Sequence, residues 1–254
     1  MSRFVDTYIL RLTLEHLMDL DLKRKVVIVT GGTKGIGVSL VRSFMREGAH
    51  VHFCARNIDD VKAFESEFET SDRVKGKALD INDPRGFSQW VESIGDVDVF
   101  IPNVSALSDS WEQASQIDLF ATVSNIKMVI PHMTQGSAIT YIGSISSCLP
   151  SKDSEGYGAI KAAMTHYVKS LALTHAGKIR FNIVAPSSTL TPRGQWDKFK
   201  NSNPERFTEK ESKLPLHRLA TPEEVANVVT FISSPLASYV VGETIHVNGG
   251  ELIL

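Results

Sequence analysis

Tyr157 and Lys161 stand four residues apart in "GYGAIKAAMTHYVKSLAL", where the apolar spacing predicts a helix over 156–177. Residues four apart share one helix face, so the phenol and the ammonium are neighbours. A phenol titrates at about 10 and is a poor proton shuttle at neutral pH. A fixed cation beside it favours phenolate and brings the group toward the working range. Ser144 ends a predicted strand, thirteen residues before Tyr157. Its hydroxyl can hold a carbonyl oxygen beside the phenol. Alone, Tyr-x-x-x-Lys is common on helices as a buried tyrosine and a solvated lysine. Together the three side chains suit proton exchange with a carbonyl or an alcohol.

A second stretch supplies a partner for that chemistry. "TGGTKGIG", residues 30–37, runs from the strand VVIVT into a helical pattern. Missing side chains at Gly31, Gly32, Gly35 and Gly37 let the backbone approach a phosphate, and the helix N-terminus offers free N–H groups. Glycines in a tight strand-to-helix turn are the structural alternative; the strand-before, helix-after context favours a dinucleotide. The candidate cradle is Gly31, Thr33, Lys34, Gly35, Ile36 and Gly37.

An NAD site places an acid about 20 residues beyond the loop. Here the next strand ends Cys54-Ala55-Arg56-Asn57, with Ala55 at the acid position. A guanidinium suits a 2′-phosphate, because its fork makes two charge-assisted hydrogen bonds. Lys34 adds a second charge. Two ordinary surface cations are the alternative; with no acid present, the pattern favours NADP(H).

These groups need a scaffold. Strand candidates are 26–30, 50–55, 74–80, 97–102, 138–144, 179–185 and 244–248, and helical patterns cover 36–47, 58–68, 83–93, 111–133, 156–177 and 221–234. That alternation predicts an α/β fold: one doubly wound, Rossmann-type parallel sheet of about seven strands, with helices on both faces. Residues 22–254 read as one domain and 1–21 as an N-terminal extension. In the extension, Leu10, Leu14, Leu17 and Met18 follow helical spacing, for packing on its own subunit or on a partner. Residues 187–215 are long, polar and charged, and follow a strand, as a substrate lid would.

The chain has 254 residues, 42% hydrophobic and 22% charged, which suits a single large core. A net charge of -2 argues against nucleic acid. No run is apolar enough for a membrane span or a signal peptide. Two cysteines, Cys54 and Cys148, argue against a disulfide framework or a metal site and fit a reducing, cytoplasmic setting.

From about residue 22 to 250 the sequence resembles the short-chain dehydrogenase/reductase family in its single-domain form. Thr30-Gly31-x-x-x-Gly35-x-Gly37, Ser144, Tyr157 and Lys161 carry the resemblance. Asp80, followed by Ile81, sits where the family contacts adenine. Asn103 matches the second Asn of the N-N-A-G motif. Pro186, Thr189 and Thr191 fall in the P-G-x-x-x-T segment that holds the nicotinamide carboxamide. The resemblance implies that Tyr157 is the general acid or base, that Lys161 lowers its pKa and holds the nicotinamide ribose, and that Ser144 positions the substrate oxygen. It places Leu149, Trp196 and Phe199 near the substrate mouth; the last two, three apart, equally suit the buried face of a lid helix. It also implies a homodimer or homotetramer, pairing helices 111–133 and 156–177 between subunits.

The sequence departs from the family at several points. Pro102-Asn103-Val104-Ser105 replaces N-N-A-G, Ser187 replaces the Gly after Pro186, and Asn248-Gly249-Gly250 replaces D-G-G. Most important, Asp118-Leu119 stands where the family has Asn-Leu. The resemblance places Asp118 in the catalytic group, as a carboxylate near Lys161 that is acceptor-only when ionised. The leading expectation is an NADP-dependent oxidoreductase acting on a carbonyl or alcohol. A non-redox step on the same fold (isomerisation, elimination or cyclisation) and a cofactor-binding protein with an idle site are the alternatives.

Overall fold

A computed structural model describes residues 18–69, 71–150 and 155–253. Most of the expected N-terminal helix therefore lies outside the described residues. The sheet has seven parallel strands: β1 (Val26–Thr30), β2 (His50–Ala55), β3 (Val74–Ala78), β4 (Val97–Ile101), β5 (Met133–Ile142), β6 (Ile179–Pro186) and β7 (Thr244–Val247). Their order is β3-β2-β1-β4-β5-β6-β7. The chain first winds outward from β1 to β3, then returns to β4 on the other side of β1. That reversal opens a crevice at the carboxyl ends of β1 and β4.

The central strands are apolar on both faces because both are covered. Val27 and Val29 point into one core with Leu40, Phe44, Phe53, Val225 and Val229. Ile28, between them, points into the other with Phe87, Phe100, Met164 and Phe181. The first face carries α1 (Ile36–Arg46), α2 (Ile58–Ser66) and α8 (Pro222–Ser233). The second carries α3 (Pro84–Ile94), a helical run over 111–129 called α4, and α5 (Glu155–His175). Local sequence fixes where several helices start. Asn57 caps α2 by accepting from the N–H groups of Asp59 and Asp60 at 2.8 and 3.0 Å. Asp83 caps α3, with Pro84 as its first residue. Thr221 and Glu224 form a capping box on α8.

Three elements differ from the sequence expectation. β5 begins at Met133 rather than 138, since Met133 pairs with Val97 across a register shift that apolar periodicity does not reveal. α4 is not one regular helix: Trp111–Ala114 is α-helical, Ser115–Ala121 is a wider π segment, and Thr122–Val129 is α-helical again. The polar excursion 187–215 contains two helices, α6 (Gln195–Ser202) and α7 (Pro204–Lys213). Among the described residues no helix is long and apolar enough to cross a membrane.

One buried cation ties α8 to the sheet. The Arg180 guanidinium, on β6, donates to the carbonyls of Ile232 (2.9 Å), Ser233 (3.2 Å) and Ser234 (2.9 Å) at the end of α8, and to Val240 at 3.5 Å. Burial lowers its pKa, yet a guanidinium stays charged at neutral pH. Arg180→Leu is expected to cost about 2–3 kcal/mol, by stranding buried carbonyls. Urea unfolding of the two proteins measures this; equal midpoints would show that the clamp is idle.

Candidate active site

The glycine loop is built for close approach. Gly31 and Gly35 have φ of 72° and 59°, where a side chain is strained. A Cβ on Gly37 would overlap the Gly31 carbonyl oxygen, so the first turn of α1 and the loop touch through bare backbone. The Cys54 carbonyl accepts from Gly31 N (2.8 Å) and Gly32 N (3.1 Å), which draws the end of β2 against the loop. Thr30 Oγ1 accepts from the N–H groups of Asn103 (3.0 Å) and Val104 (3.3 Å). The Asn103 amide donates to the Thr30 and Gly31 carbonyls at 2.9 and 3.3 Å. Asn103 thus braces the crevice through the loop, despite the Pro102 replacement beside it. The cradle fits the phosphates of a dinucleotide: positive-φ glycines, no room for a Cβ at Gly37 and a helix N-terminus beneath.

The other cofactor candidates surround this loop. Arg56 follows β2, is exposed, and has no carboxylate partner among the described residues. Lys34 is paired with Asp60 at 2.6 Å, so part of its charge is already balanced. Thr33 is half-buried, and Ile36 starts α1. Asp80 is exposed just past β3, accepting from Asn82 N and Nδ2 at 2.9 and 3.0 Å. Ile81 is buried, and its carbonyl accepts from Asn125 Nδ2 at 3.3 Å. Pro186 ends β6. Thr189 donates to the Ser187 carbonyl at 3.0 Å. The Thr191 methyl would lie 4.0 Å from a Cβ on Gly35, so the start of the lid segment reaches the loop.

The proton-handling groups meet around one buried ammonium. Lys161 Nζ donates to Tyr141 Oη at 3.0 Å and to the Ile142 carbonyl at 3.2 Å, both on β5. It lies 3.2 Å from Asp118 Oδ1 and 5.5 Å from the centre of the Tyr157 ring. The Asp118 contact is an ion pair without hydrogen-bond alignment; Oδ1 is buried and has no aligned donor. Asp118 Oδ2 accepts from the Ala106 N–H at 2.9 Å. Burial alone would lower the Lys161 pKa, but the oxygens of Tyr141, Tyr157 and Asp118 outweigh it and hold it well above the ordinary lysine value. Burial raises the Tyr141 phenol despite Lys161 beside it, so Tyr141 is neutral at pH 7. Ser144, buried at the end of the β5 segment, caps a short 3-10 turn: its Oγ accepts from Ser146 N at 3.1 Å and donates to Ser146 Oγ at 3.2 Å.

The residues expected at the substrate mouth separate. Leu149 is exposed just beyond the Ser144 turn. Trp196 and Phe199 instead pack edge to face at 5.7 Å on α6, against a small cluster of Phe207, Leu214 and Leu219. Both are half-buried there and also line a cavity with Gln195, Arg206, Lys210 and Leu214, so they contribute to the small core of the lid helices and face open space as well. Sequence reading missed Tyr141, the Ala106 N–H and the π segment. The available signal was a tyrosine inside a strand apolar on both faces, whose hydroxyl had to find a partner.

A family model described as enoyl-(acyl carrier protein) reductase matches residues 31–251. Isoepoxydon dehydrogenase patN of Penicillium expansum is 35% identical over 247 residues, covering 90% of this chain and 95% of that protein. The crystal structure of a short-chain dehydrogenase/reductase from Brucella melitensis superposes with a TM-score of 0.85 at 26% identity, covering 92% of this chain and 98% of that one. The chain belongs to the short-chain dehydrogenase/reductase family. It is an oxidoreductase of a family that uses nicotinamide cofactors. An NADPH-bound short-chain oxidoreductase from Pseudomonas aeruginosa PAO1 with an atypical catalytic centre has a TM-score of 0.81 at 26% identity, covering 89% of this chain and 96% of that one.

Within this short-chain dehydrogenase/reductase the loop makes a direct prediction. Gly37→Ala must push α1 away from the Gly31 carbonyl, and dinucleotide affinity is expected to fall at least about tenfold, as for a lost backbone–phosphate contact. Gly177→Ala, where an added Cβ meets nothing within 4 Å, serves as control. Fluorescence titration with NADPH measures both; unchanged affinity in Gly37→Ala would place the phosphates elsewhere.

Proposed function

We propose that the protein is an NADP(H)-dependent oxidoreductase interconverting a carbonyl and an alcohol. The observation that carries this reading is the Lys161 ammonium, buried beside the Tyr157 ring and fixed from β5 and α4. The dinucleotide that the glycine loop would hold would provide the hydride for the carbonyl carbon. Tyr157 gives the proton to the oxygen, and takes it back in the reverse direction. Lys161 stabilises the phenolate that remains and holds the nicotinamide ribose. Ser144 turns its hydroxyl from Ser146 to the substrate oxygen. The relative named isoepoxydon dehydrogenase supports an alcohol or carbonyl substrate.

The preference for NADP(H) rests on Ala55 and Arg56. The Cys54 carbonyl is bonded to the glycine loop, which brings the chain at Arg56, two residues later, toward the cradle, with Ala55 where an acid would repel a phosphate. The NADPH-bound Pseudomonas neighbour supports it. Gly31, Thr33, Lys34, Gly35, Ile36 and Gly37 would hold the pyrophosphate, Asp80 and Ile81 the adenine, and Asn103, Pro186, Thr189 and Thr191 the nicotinamide side. Assay of the pure protein with NADPH and a carbonyl panel, following nicotinamide absorbance, tests the reaction. Inert binding would favour a non-redox step. Arg56→Ala is expected to weaken NADPH about tenfold or more while leaving NADH nearly unchanged, as for a lost charge-assisted pair. Equal losses would remove Arg56 from the 2′-phosphate.

We also propose a homodimer or homotetramer in the cytoplasm. Phe120 on α4 and Leu173 on α5 are 61% and 88% exposed, on the two helices expected to pair between subunits. A 28.0 kDa species in light scattering at low micromolar concentration would overturn this.

Asp118 gives the pH prediction. Its carboxylate cancels part of the field that Lys161 presents to Tyr157. The limb of kcat/KM governed by the phenol is therefore expected at higher pH in the native protein than in Asp118→Asn. Superimposable profiles would show that the carboxylate charge does not reach the phenol.

A further inference from the structure

We propose that Tyr141 is a positioning residue for proton transfer at Tyr157, acting through Lys161; the inference rests on the reading of Tyr157 as the proton donor. Tyr141 is 1% exposed in an apolar core with Ile139, Met164 and Phe181, where a phenyl ring alone would fill the space. Burying a hydroxyl there is unfavourable unless it is bonded. Among the described residues the one hydrogen bond of its hydroxyl is to Lys161 Nζ, at 3.0 Å.

The geometry around Nζ shows what that bond does. An ammonium has three hydrogens. Two are directed at β5, to Tyr141 Oη and the Ile142 carbonyl. The carboxylate of Asp118, on α4, is 3.2 Å away yet receives no aligned hydrogen. Ion–ion attraction is the strongest single pull on the ammonium, so neutral acceptors on the strand are what keep it from turning fully onto Asp118. The titratable groups facing Nζ are Tyr141 from β5, Asp118 from α4 and Tyr157 from its own helix. Tyr141 thus sets how much positive field is left for the Tyr157 phenol.

Removing the Tyr141 hydroxyl releases one hydrogen, and the buried lone pair of Asp118 Oδ1 is the acceptor that waits for it. The ion pair tightens and the field at Tyr157 weakens. Tyr141→Phe should therefore move the phenol-governed limb up by about half to one pH unit and lower kcat about three- to tenfold, one unit being a factor of ten. Asp118→Asn moves the same limb down. In the double variant no carboxylate is left to collapse onto, so the upward displacement due to Tyr141→Phe should vanish.

The experiment records kcat and kcat/KM against pH for the native protein, Tyr141→Phe, Asp118→Asn and the double variant. It also titrates tyrosinate absorbance in the cofactor-free proteins, taking the difference from Tyr157→Phe to isolate the Tyr157 transition. Opposite displacements in the two single variants, with the double variant overlaying Asp118→Asn alone, support the inference. A Tyr141→Phe profile that overlays the native one, moves down, or keeps its upward shift in the Asp118→Asn background overturns it. Tyr141→Leu, also lacking the hydroxyl, must show the same upward shift and replaces Tyr141→Phe if that chain does not fold. Tyr157→Phe separates the two readings: full turnover there sinks the assignment of the proton donor itself. A dead Tyr157→Phe with an unmoved Tyr141→Phe sinks only the role of Tyr141.

Discussion

The burial of one ammonium constrains the catalytic half of this structure. Taking a charge out of water costs several kcal/mol unless partners replace the solvent. Lys161 on α5 finds them on two other elements: Tyr141 and the Ile142 carbonyl on β5, and Asp118 on α4. The demand fixes how α5 and α4 lie against the strand. It also gives the π segment a purpose. An extra residue in a helical turn rotates all later side chains by about 100°. Within Ser115–Ala121 the Asp118 side chain is 1% exposed and reaches both Lys161 and the Ala106 N–H. Thr122 Oγ1, donating to the Ile117 carbonyl at 3.0 Å, satisfies a group in the widened turn. A local departure from the α-helix at a functional carboxylate agrees with how such bulges are used.

The other half depends on strand order. β1 is flanked by β2 and β4, and the segments leaving all three carboxyl ends are bonded together. The Gly31 and Gly32 amides meet the Cys54 carbonyl, and the Asn103 amide meets the Thr30 and Gly31 carbonyls. The glycine loop is thereby held open by its neighbours rather than by its own side chains. The N-N-A-G departure leaves this bonding intact. The function of Asn103 in this structure is to tie β4 to β1, and Pro102 beside it does not disturb that bond.

The sequence exposed the periodic elements and the side chains with few alternative uses. β1 and β2 agree with their expected ranges to the residue; VVIVT is a continuous β-branched run ending at Gly31, and HVHFCA is a short apolar run after the turn at Gly48. Gly31, Gly35 and Gly37 were legible because only glycine meets positive φ or the absence of space for a Cβ. What escaped depends on three-dimensional pairing. Tyr141 looks like any core tyrosine until Lys161 is seen 3.0 Å from its hydroxyl. Met133 looks like loop until β4 is beside it. Trp196 and Phe199 carry the same spacing whether they face a substrate or a partner helix, and the contact with Phe207 on the next helix is visible only in three dimensions. Lys34 reads as a free cation in sequence and is paired to Asp60 in the fold.

The oxygens of Tyr141, Tyr157 and Asp118 together make the lysine a fixed charge. With its folded pKa held above that of an unfolded lysine, Lys161 contributes stability that is complete below about pH 10 and is lost only as the pH rises further. Within the neutral range its charge does not vary. An ammonium that stays ionised through the neutral range presents a constant charge beside the Tyr157 ring. The carboxylate that helps secure this also weakens the field it secures. The site therefore trades depth of phenolate stabilisation for constancy, and the β5 acceptors, Tyr141 and the Ile142 carbonyl, set where that balance falls by holding the ammonium off the carboxylate.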